Sequence, residues 1–192
     1  ALSRLSEILV TDRYLSAIEQ GVTFENSLFT AKQGNWFDAR NTSNNNPGDS
    51  VGWAWCHGAP GIALNRLELA RHLYGSLQST AKRDLEVAID STLSSTWPDH
   101  YALCHGAFGN LDILAHLAEQ TKDEGLRAKC ALGINQALDL WLEPYGNFEH
   151  FLREVPSLGL MVGTSGLGYA LLRHAAPDKV PNILAMQIPT AT

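Results

Sequence analysis

Two Cys-His pairs are the residues whose types and spacing could do chemistry in this 192-residue sequence. Cys56-His57 and Cys104-His105 are each followed directly by a Gly-x-x-Gly step that opens onto an apolar run. Thiolate sulfur and imidazole nitrogen are protein ligands that suit Zn(II). The repeated setting therefore predicts one zinc ion bound by residues from both pairs.

The expected metal ligands are Cys56, Cys104 and His105. Both cysteines precede the first glycine of their step by two residues, so equivalent loops should bring them together although 48 residues separate positions 56 and 104. A helix N-terminus favours negative charge and therefore suits a cysteine that binds metal as a thiolate. We expect His57 to line the pocket instead, because a fourth protein ligand would close the site to a substrate.

Three further residues are candidates for the pocket or for supporting hydrogen bonds. His100 lies shortly before Cys104, whereas Asn110 and Asp112 lie just inside the helical run that follows it. Their side chains could orient metal ligands through hydrogen bonds. Cys130 falls on the apolar stripe of a different helix, where we expect a small core residue rather than a ligand.

Helices are the elements that must position these residues, and no run alternates as a strand would. Apolar residues recur at helical spacing in residues 3–20, 61–74, 80–92, 106–120, 123–141 and 163–176. We expect Gly21 and Gly75 to end two of these helices, and Asp123 to cap the start of another.

A third Gly-x-x-Gly step, Gly163 to Gly166, follows Met161-Val162 instead of a Cys-His pair. The repeat is therefore structural, with chemistry added to two of its copies. Helices that are apolar on more than one side alternate with amphipathic ones, which favours a ring of inner and outer helices over an open solenoid. We predict an all-α protein, an α/α toroid of which about half of the ring is present.

The composition of the chain limits its setting and its partners. With 45% hydrophobic residues, the chain can bury one sizeable core. A formal net charge of -6 without a basic stripe argues against a nucleic-acid binder. Three widely spaced cysteines fit a reducing cytoplasm, and glycines interrupt the longest uncharged run, residues 155–172, too often for a membrane span. The chain begins with Ala1, which suggests that an upstream portion exists.

Four motifs, in this order, closely resemble the carboxy-terminal half of the lanthionine synthetase C-like cyclases. They are GNWFDAR (34–40), WCHGAPGI (55–62), LCHGAFGNLDIL (103–114) and GLMVGTSGLGYALLRH (159–174), and the resemblance extends over essentially all 192 residues. The Cys-His-Gly form of both metal motifs is most similar to the cyclase domain of the bifunctional class II lanthipeptide synthetases, which carry a dehydratase domain ahead of the cyclase.

The resemblance implies an α/α toroid that acts as a zinc-dependent peptide cyclase. Its single Zn(II) would be bound by the residues at Cys56, Cys104 and His105, and the residue at His57 would not be a ligand. The implied reaction adds a peptide cysteine thiol to a dehydroalanine or dehydrobutyrine of the same peptide, which forms a (methyl)lanthionine thioether ring. The implied partner is a dehydrated precursor peptide with its leader.

One part of the family pattern has no counterpart in this sequence. The family places an acid/base His and a partnering Asp well upstream of the first zinc cysteine, but no His occurs among the 55 residues before Cys56. We therefore assign no catalytic residue. We expect residues 1–192 to be the carboxy-terminal portion of a cyclase domain and to be inactive by themselves.

Two other functions fit parts of the pattern. The two Cys-His pairs could together close a four-ligand zinc site in a non-catalytic peptide-binding module. An α/α-toroid glycan hydrolase would need two separated carboxylates at the mouth of the ring. Asp99 and Glu149 are the acidic residues near the expected mouth loops, and nothing in the sequence pairs them.

Overall fold

The computed structural model of the protein describes residues 1–40, 51–95, 101–142 and 157–187. In these ranges the chain forms seven helices and two strands of two residues each, which confirms the predominantly helical structure predicted from the spacing of apolar residues. The chain divides into two compact units: residues 1–53 with 57–95, and residues 54–56 with 96–192. None of the helices in the described ranges has the length and apolar character needed to cross a lipid bilayer.

Unit 1 (residues 1–53 and 57–95) is built, in its described part, from helices and one short hairpin. Its elements are α1 (Leu2–Leu9), α2 (Leu15–Ser27), β1 (Phe29–Thr30), β2 (Asn35–Trp36), α3 (Ala59–His72) and α4 (Gly75–Ser94). The two strands pair antiparallel, with Phe29 opposite Trp36 and Thr30 opposite Asn35. The apolar core of this unit joins α2 to the α3–α4 hairpin through Ile18, Val22, Leu69, Leu73 and Ala81.

The single helix predicted for residues 3–20 is wrong, because α1 and α2 stand in its place. The chain leaves α1 at Val10, which adopts a left-handed conformation with a φ of 48°. The N–H of Thr11 then bonds back to Ser6 O at 3.0 Å, as in a Schellman cap. Glycine usually supplies such a cap, so a valine there gives no signal in the sequence. Gly21, the predicted end, lies inside α2.

The prediction that Gly75 ends the preceding helix is wrong, because Gly75 begins the next helix. The helix α3 ends at His72, Leu73 is extended, and Gly75 has a φ of 68° at the first position of α4. A positive φ is accessible to glycine at little cost and lets the chain turn directly from one helix into the next. The turn therefore forms a hairpin in which α3 and α4 pack against each other.

A buried arginine joins the helices of unit 1. The Arg66 side chain on α3 has no exposed surface, and its Nε donates to Asp84 Oδ2 on α4 at 3.1 Å. Its terminal nitrogens donate to Glu25 and Asn26 near the end of α2. A charge can be buried only when it is paired and hydrogen-bonded. Arg66 therefore fixes three helices relative to one another, which the apolar spacing did not predict.

The described part of unit 2 contains three helices and a C-terminal tail (residues 177–187) with turns at 177–179 and 183–186. The helices are α5 (Ala107–Thr121), α6 (Glu124–Leu142) and α7 (Thr164–Ala175), and α5 packs against both of the others. Nearly all sides of α5 are buried, as predicted for an inner helix. The Asp123 carboxylate accepts the N–H of Leu126 at 2.9 Å, which confirms Asp123 as the cap of α6.

The second glycine makes the same kind of close backbone contact in two Gly-x-x-Gly steps of unit 2. A Cβ atom at Gly109 would lie 1.9 Å from the carbonyl oxygen of Leu103, and one at Gly166 would lie 2.1 Å from that of Leu160. Leu103 and Leu160 each precede the first glycine of their step by three residues. The second glycine of each step is thus pressed against the loop that leads into its helix. The second and third copies of the repeat therefore share this local structure.

We expect Gly109→Ala to lower the free energy of unfolding by about 3 kcal/mol, because the added methyl group overlaps backbone atoms. Gly168→Ala on α7 is the matched control, since a Cβ there meets nothing within 4 Å. Alanine is favoured over glycine inside a helix by up to about 1 kcal/mol, so the control should be slightly stabilised. Urea unfolding followed by circular dichroism measures both changes. Equal stabilities would contradict the close contact.

Candidate metal centre

The loop that carries Cys56 is hydrogen-bonded to the loop that carries Cys104. The backbone N–H of Trp55 donates to the carbonyl oxygen of Cys104, with an N–O distance of 2.9 Å. Trp55 directly precedes Cys56, and residues 54–56 belong to the same unit as residue 104. The prediction that equivalent loops bring the two cysteines together is therefore confirmed for the backbone.

The third copy of the repeat, which has no Cys-His pair, supports the second copy. The backbone N–H of Cys104 donates to the carbonyl oxygen of Met161 at 2.9 Å. Met161 occupies the cysteine position of its own copy, because it also precedes the glycine step by two residues. The three loops are thus linked in series, and the backbone of Cys104 is held on both sides.

The cysteines in these loops differ from the third cysteine in exposure. Cys56 and His105 are exposed, and Cys104 is half-buried. Cys130 on α6 is 2% exposed, and burial, with a smaller contribution from Asp123, raises the pKa of its thiol to about 12. A thiol that stays protonated is a poor zinc ligand. Cys130 is therefore a core residue, as predicted.

Zinc binding by Cys56, Cys104 and His105 stays a prediction. Within the four described ranges, no group of three or more His, Cys, Asp or Glu side chains is arranged to hold a metal ion. The backbone sets the two cysteines in neighbouring loops, however, and accessible side chains can move between rotamers. Two thiolates and an imidazole suit Zn(II) and leave a fourth position for another ligand. The residues in these loops therefore fit zinc in type, and the two cysteines lie in neighbouring loops.

His57 lies against a different set of residues, all of them in unit 1. Its Nδ1 is 3.4 Å from Arg40 Nη2, and a Cβ at Gly52 would lie 2.3 Å from its Nε2. Arg40 donates two hydrogen bonds to the Asp38 carboxylate, at 2.8 and 2.7 Å, and these lower the pKa of Asp38 to about 2. That His57 is not a metal ligand stays a prediction.

Asn35, which the sequence did not single out, supports the first glycine step. Its fully buried side chain accepts the N–H groups of Trp36 and Ala59, at 2.8 and 2.7 Å, and donates to Gly52 O at 3.1 Å. Ala59 begins α3, so Asn35 caps that helix from a distant part of the chain. Its place within the GNWFDAR motif is the one signal that could have pointed to it.

Of the other predicted pocket residues, Asn110 is described by the structure and His100 is not. Asn110 is fully buried in the first turn of α5, where its backbone N–H donates to Gly106 O at 3.2 Å. His100 lies outside the described residues, as do Asp99 and Glu149. The roles expected of all four side chains stay predictions.

Asp112 belongs to a buried ion-pair network. Its Oδ1 is 2.9 Å from Arg173 Nε on α7, and its Oδ2 accepts a hydrogen bond from Asn182 at 3.0 Å. Arg173 also donates to Glu119 on α5 at 3.0 Å. Burial raises the pKa of Asp112 to about 6, against the opposing effect of Arg173. These bonds join α5 to α7 and the tail, and a role in orienting metal ligands stays a prediction.

Comparisons with known proteins find similarity over most of the chain. A sequence model of the family described as "Lanthionine synthetase C-like protein" matches residues 1–185, which confirms the resemblance carried by the four motifs. The chain is also 29% identical, over 185 residues, to the lacticin 481/lactococcin biosynthesis protein LcnDR2 of Lactococcus lactis subsp. lactis. That alignment covers 88% of this chain and 18% of the relative, so the chain spans less than a fifth of that protein.

The raised pKa of Asp112 predicts a pH-dependent contribution to stability. The folded carboxyl has a pKa of about 6, against about 4 in an unfolded chain. Between these two pKa values, the folded protein keeps a proton that the unfolded chain loses. The resulting stabilisation of the folded state is complete below pH 4 and is lost as the pH rises through 6. Relative to Asp112→Asn, the free energy of unfolding should fall by about 1 kcal/mol from pH 5 to pH 7. Urea unfolding at both pH values measures this, and a constant difference would contradict it.

Proposed function

Because the chain belongs to the lanthionine synthetase C-like family, we propose that it carries the metal-binding part of a peptide cyclase. This cyclase forms lanthionine and methyllanthionine rings. The observation that carries the proposal is the hydrogen bond from Trp55 to Cys104, which joins the two Cys-His-Gly loops. Fold alone does not define chemistry, so the proposal depends on this pair of loops.

The proposed ligands of one Zn(II) are Cys56, Cys104 and His105. When bound, zinc supplies Lewis acidity that lowers the pKa of a substrate thiol and raises the fraction present as thiolate. The two cysteine thiolates bring negative charge to the site, which keeps a neighbouring sulfur electron-rich. His105 adds a neutral nitrogen donor, and His57 remains outside the ligand set so that one position is left for the substrate.

The proposed reaction is the addition of a thiol across a carbon–carbon double bond. The substrate sulfur bonds to the β-carbon of a dehydroalanine or dehydrobutyrine, and the π electrons shift towards the α-carbon. One proton leaves the thiol and one proton adds to the α-carbon, so the product has the same atoms as the substrate. Holding both groups of one peptide in place lowers the entropic part of the barrier. A general acid donates the α-carbon proton, and we assign no residue of this chain to that role.

The proposed substrate is a dehydrated precursor peptide that carries a leader. The relative in Lactococcus lactis is named for the biosynthesis of lacticin 481 and lactococcin, which supports a peptide product of this class. The present chain matches 18% of that relative. Leader recognition and dehydration are therefore proposals about a whole polypeptide of which this region would be one part.

We also propose that the helices belong to an α/α toroid with the zinc loops at one mouth. Glycine steps precede α3, α5 and α7, and backbone hydrogen bonds link the loops before α5 and α7. Repeated helical hairpins with equivalent contacts can curve into a closed ring. Residues 1–192 would then form the carboxy-terminal portion of the cyclase domain.

A non-catalytic module with a closed zinc site is the main alternative. It would need His57 as the fourth ligand, whereas His57 Nδ1 lies 3.4 Å from Arg40 Nη2. X-ray absorption at the zinc edge separates the two functions, because a substrate thiol would enter an open coordination sphere. A four-ligand sphere that added thiol leaves unchanged would favour the module. The glycan hydrolase has no support among the described residues, since its candidate carboxylates lie outside them.

Replacing either zinc cysteine should remove both bound zinc and ring formation. In the complete natural polypeptide, we expect Cys56→Ala and Cys104→Ala each to reduce the zinc content from about one ion per chain to nearly none, because two remaining ligands bind zinc weakly. Inductively coupled plasma mass spectrometry measures the zinc. Ring formation is followed on a dehydrated substrate peptide by alkylating the remaining thiols and weighing the product.

Cys130→Ala is the matched control for these variants, because its thiol is buried and protonated. It should keep the zinc content and the ring-forming activity of the natural protein. Zinc retained by the double variant Cys56→Ala, Cys104→Ala would refute the site. Zinc lost with ring formation unchanged would refute the catalytic role of the metal.

A further inference from the structure

We propose that Trp55 is a positioning residue that holds the Cys56 loop in place, with the C-terminal tail as its anchor; this inference rests on the proposed zinc site. Trp55 forms bonds in two directions. Its backbone N–H donates to Cys104 O at 2.9 Å, and its indole Nε1–H donates to Leu184 O at 3.0 Å. All four residues belong to unit 2. The residue directly before the first zinc cysteine is therefore tied to the second loop and to the tail.

The tail is itself held strongly enough to serve as an anchor. The side chain of Asn182 is fully buried, and its Nδ2 donates to Asp112 Oδ2 at 3.0 Å. Its Oδ1 accepts the N–H of the residue three positions later at 2.8 Å, which fixes the turn that contains Leu184. Before this turn, Arg173 Nη1 donates to Val180 O at 2.9 Å. The tail is thus fixed before and within the turn that meets the indole.

These hydrogen bonds connect the two metal loops in two ways, directly through the backbone and indirectly through the tail and α5. Asp112 lies on α5, the helix that begins just after the second loop, and binds the tail through Asn182. Two residues further along, the tail accepts the indole N–H of Trp55. The backbone N–H of Trp55 then bonds to Cys104 O, in the loop that leads into α5. A closed circuit of hydrogen bonds restricts the movement of one loop relative to the other.

Such a restraint bears on Cys56, which is exposed and directly follows Trp55. Metal affinity depends on the neighbours that hold the ligands in position as well as on the ligands themselves. The backbone of Cys104 is already bonded to the third loop through Met161. Removing the indole N–H of Trp55 should therefore loosen the Cys56 loop and weaken metal binding while the helices stay folded.

Trp55→Phe tests this inference, with Trp53→Phe as its matched control. Both changes keep an aromatic ring and remove an indole N–H, and Trp53 Nε1 donates to Ser91 Oγ on α4, also at 3.0 Å. In the complete natural polypeptide, Trp55→Phe should weaken zinc binding about tenfold, as other supports of metal ligands do. Trp53→Phe should leave it unchanged. Competition with a chromophoric chelator measures the affinity, and thiolate-to-cobalt absorption after Co(II) substitution shows whether both cysteines bind.

Hydrogen exchange in the metal-free protein gives a second readout that does not depend on zinc. The amides of residues 54–56 should exchange faster in Trp55→Phe than in Trp53→Phe, with no change in the urea midpoint. Asn182→Ser, which loosens the tail from Asp112, should have the same effect and serves if Trp55→Phe fails to fold.

The two readouts separate the failure of this inference from the failure of the proposed function. If the natural protein binds neither zinc nor cobalt, the proposed function is wrong, and hydrogen exchange still decides the role of Trp55. If it binds metal but Trp55→Phe and Trp53→Phe have equal affinity and equal exchange, the positioning role is wrong and the zinc site stands. Weaker binding and faster exchange in Trp55→Phe alone would establish the positioning role.

Discussion

The backbone hydrogen bond between Trp55 and Cys104 is the interaction on which the candidate metal centre depends. It joins the two Cys-His-Gly loops through main-chain atoms, so it holds whichever rotamers the ligands adopt. The bond from Cys104 to Met161 extends the series to the third loop. Buried main-chain groups must find partners, and these loops find them in one another. The third copy therefore supports the candidate centre although it has no Cys-His pair.

The glycine steps make this loop arrangement possible. At Gly109 and Gly166 the helix start lies so close to the preceding loop that a Cβ would overlap a carbonyl oxygen. Glycine is the residue without a Cβ, and its presence lets the loop fold back over the first turn of the helix. The position of the loop that carries Cys104 is thus set in part by Gly109, a glycine on the helix that follows it.

Buried arginines orient the helices behind these loops. Arg66 on α3 pairs with Asp84 in unit 1, and Arg173 on α7 pairs with Asp112 in unit 2. Such pairs add little net stability, because desolvation offsets much of the attraction. The raised pKa of Asp112 is in keeping with this balance, because burial raises it more than the Arg173 guanidinium lowers it. Their contribution is to make one relative position of the helices better than its alternatives.

The sequence by itself determined the helical class, the glycine-led helices and the choice of ligand candidates. These are local properties, because apolar spacing and residue type act within a few turns. The tertiary structure decided the break at Val10, the turn at Gly75 and the partners of Asn35 and Asp112. The partners of Asn35 and Asp112 are distant from them in sequence. The left-handed conformation of Val10 and the helix start at Gly75 are not indicated by residue type alone. The same reason explains why Cys56 and Cys104 could be matched by sequence, whereas the bonds that bring their loops together appear only in the fold.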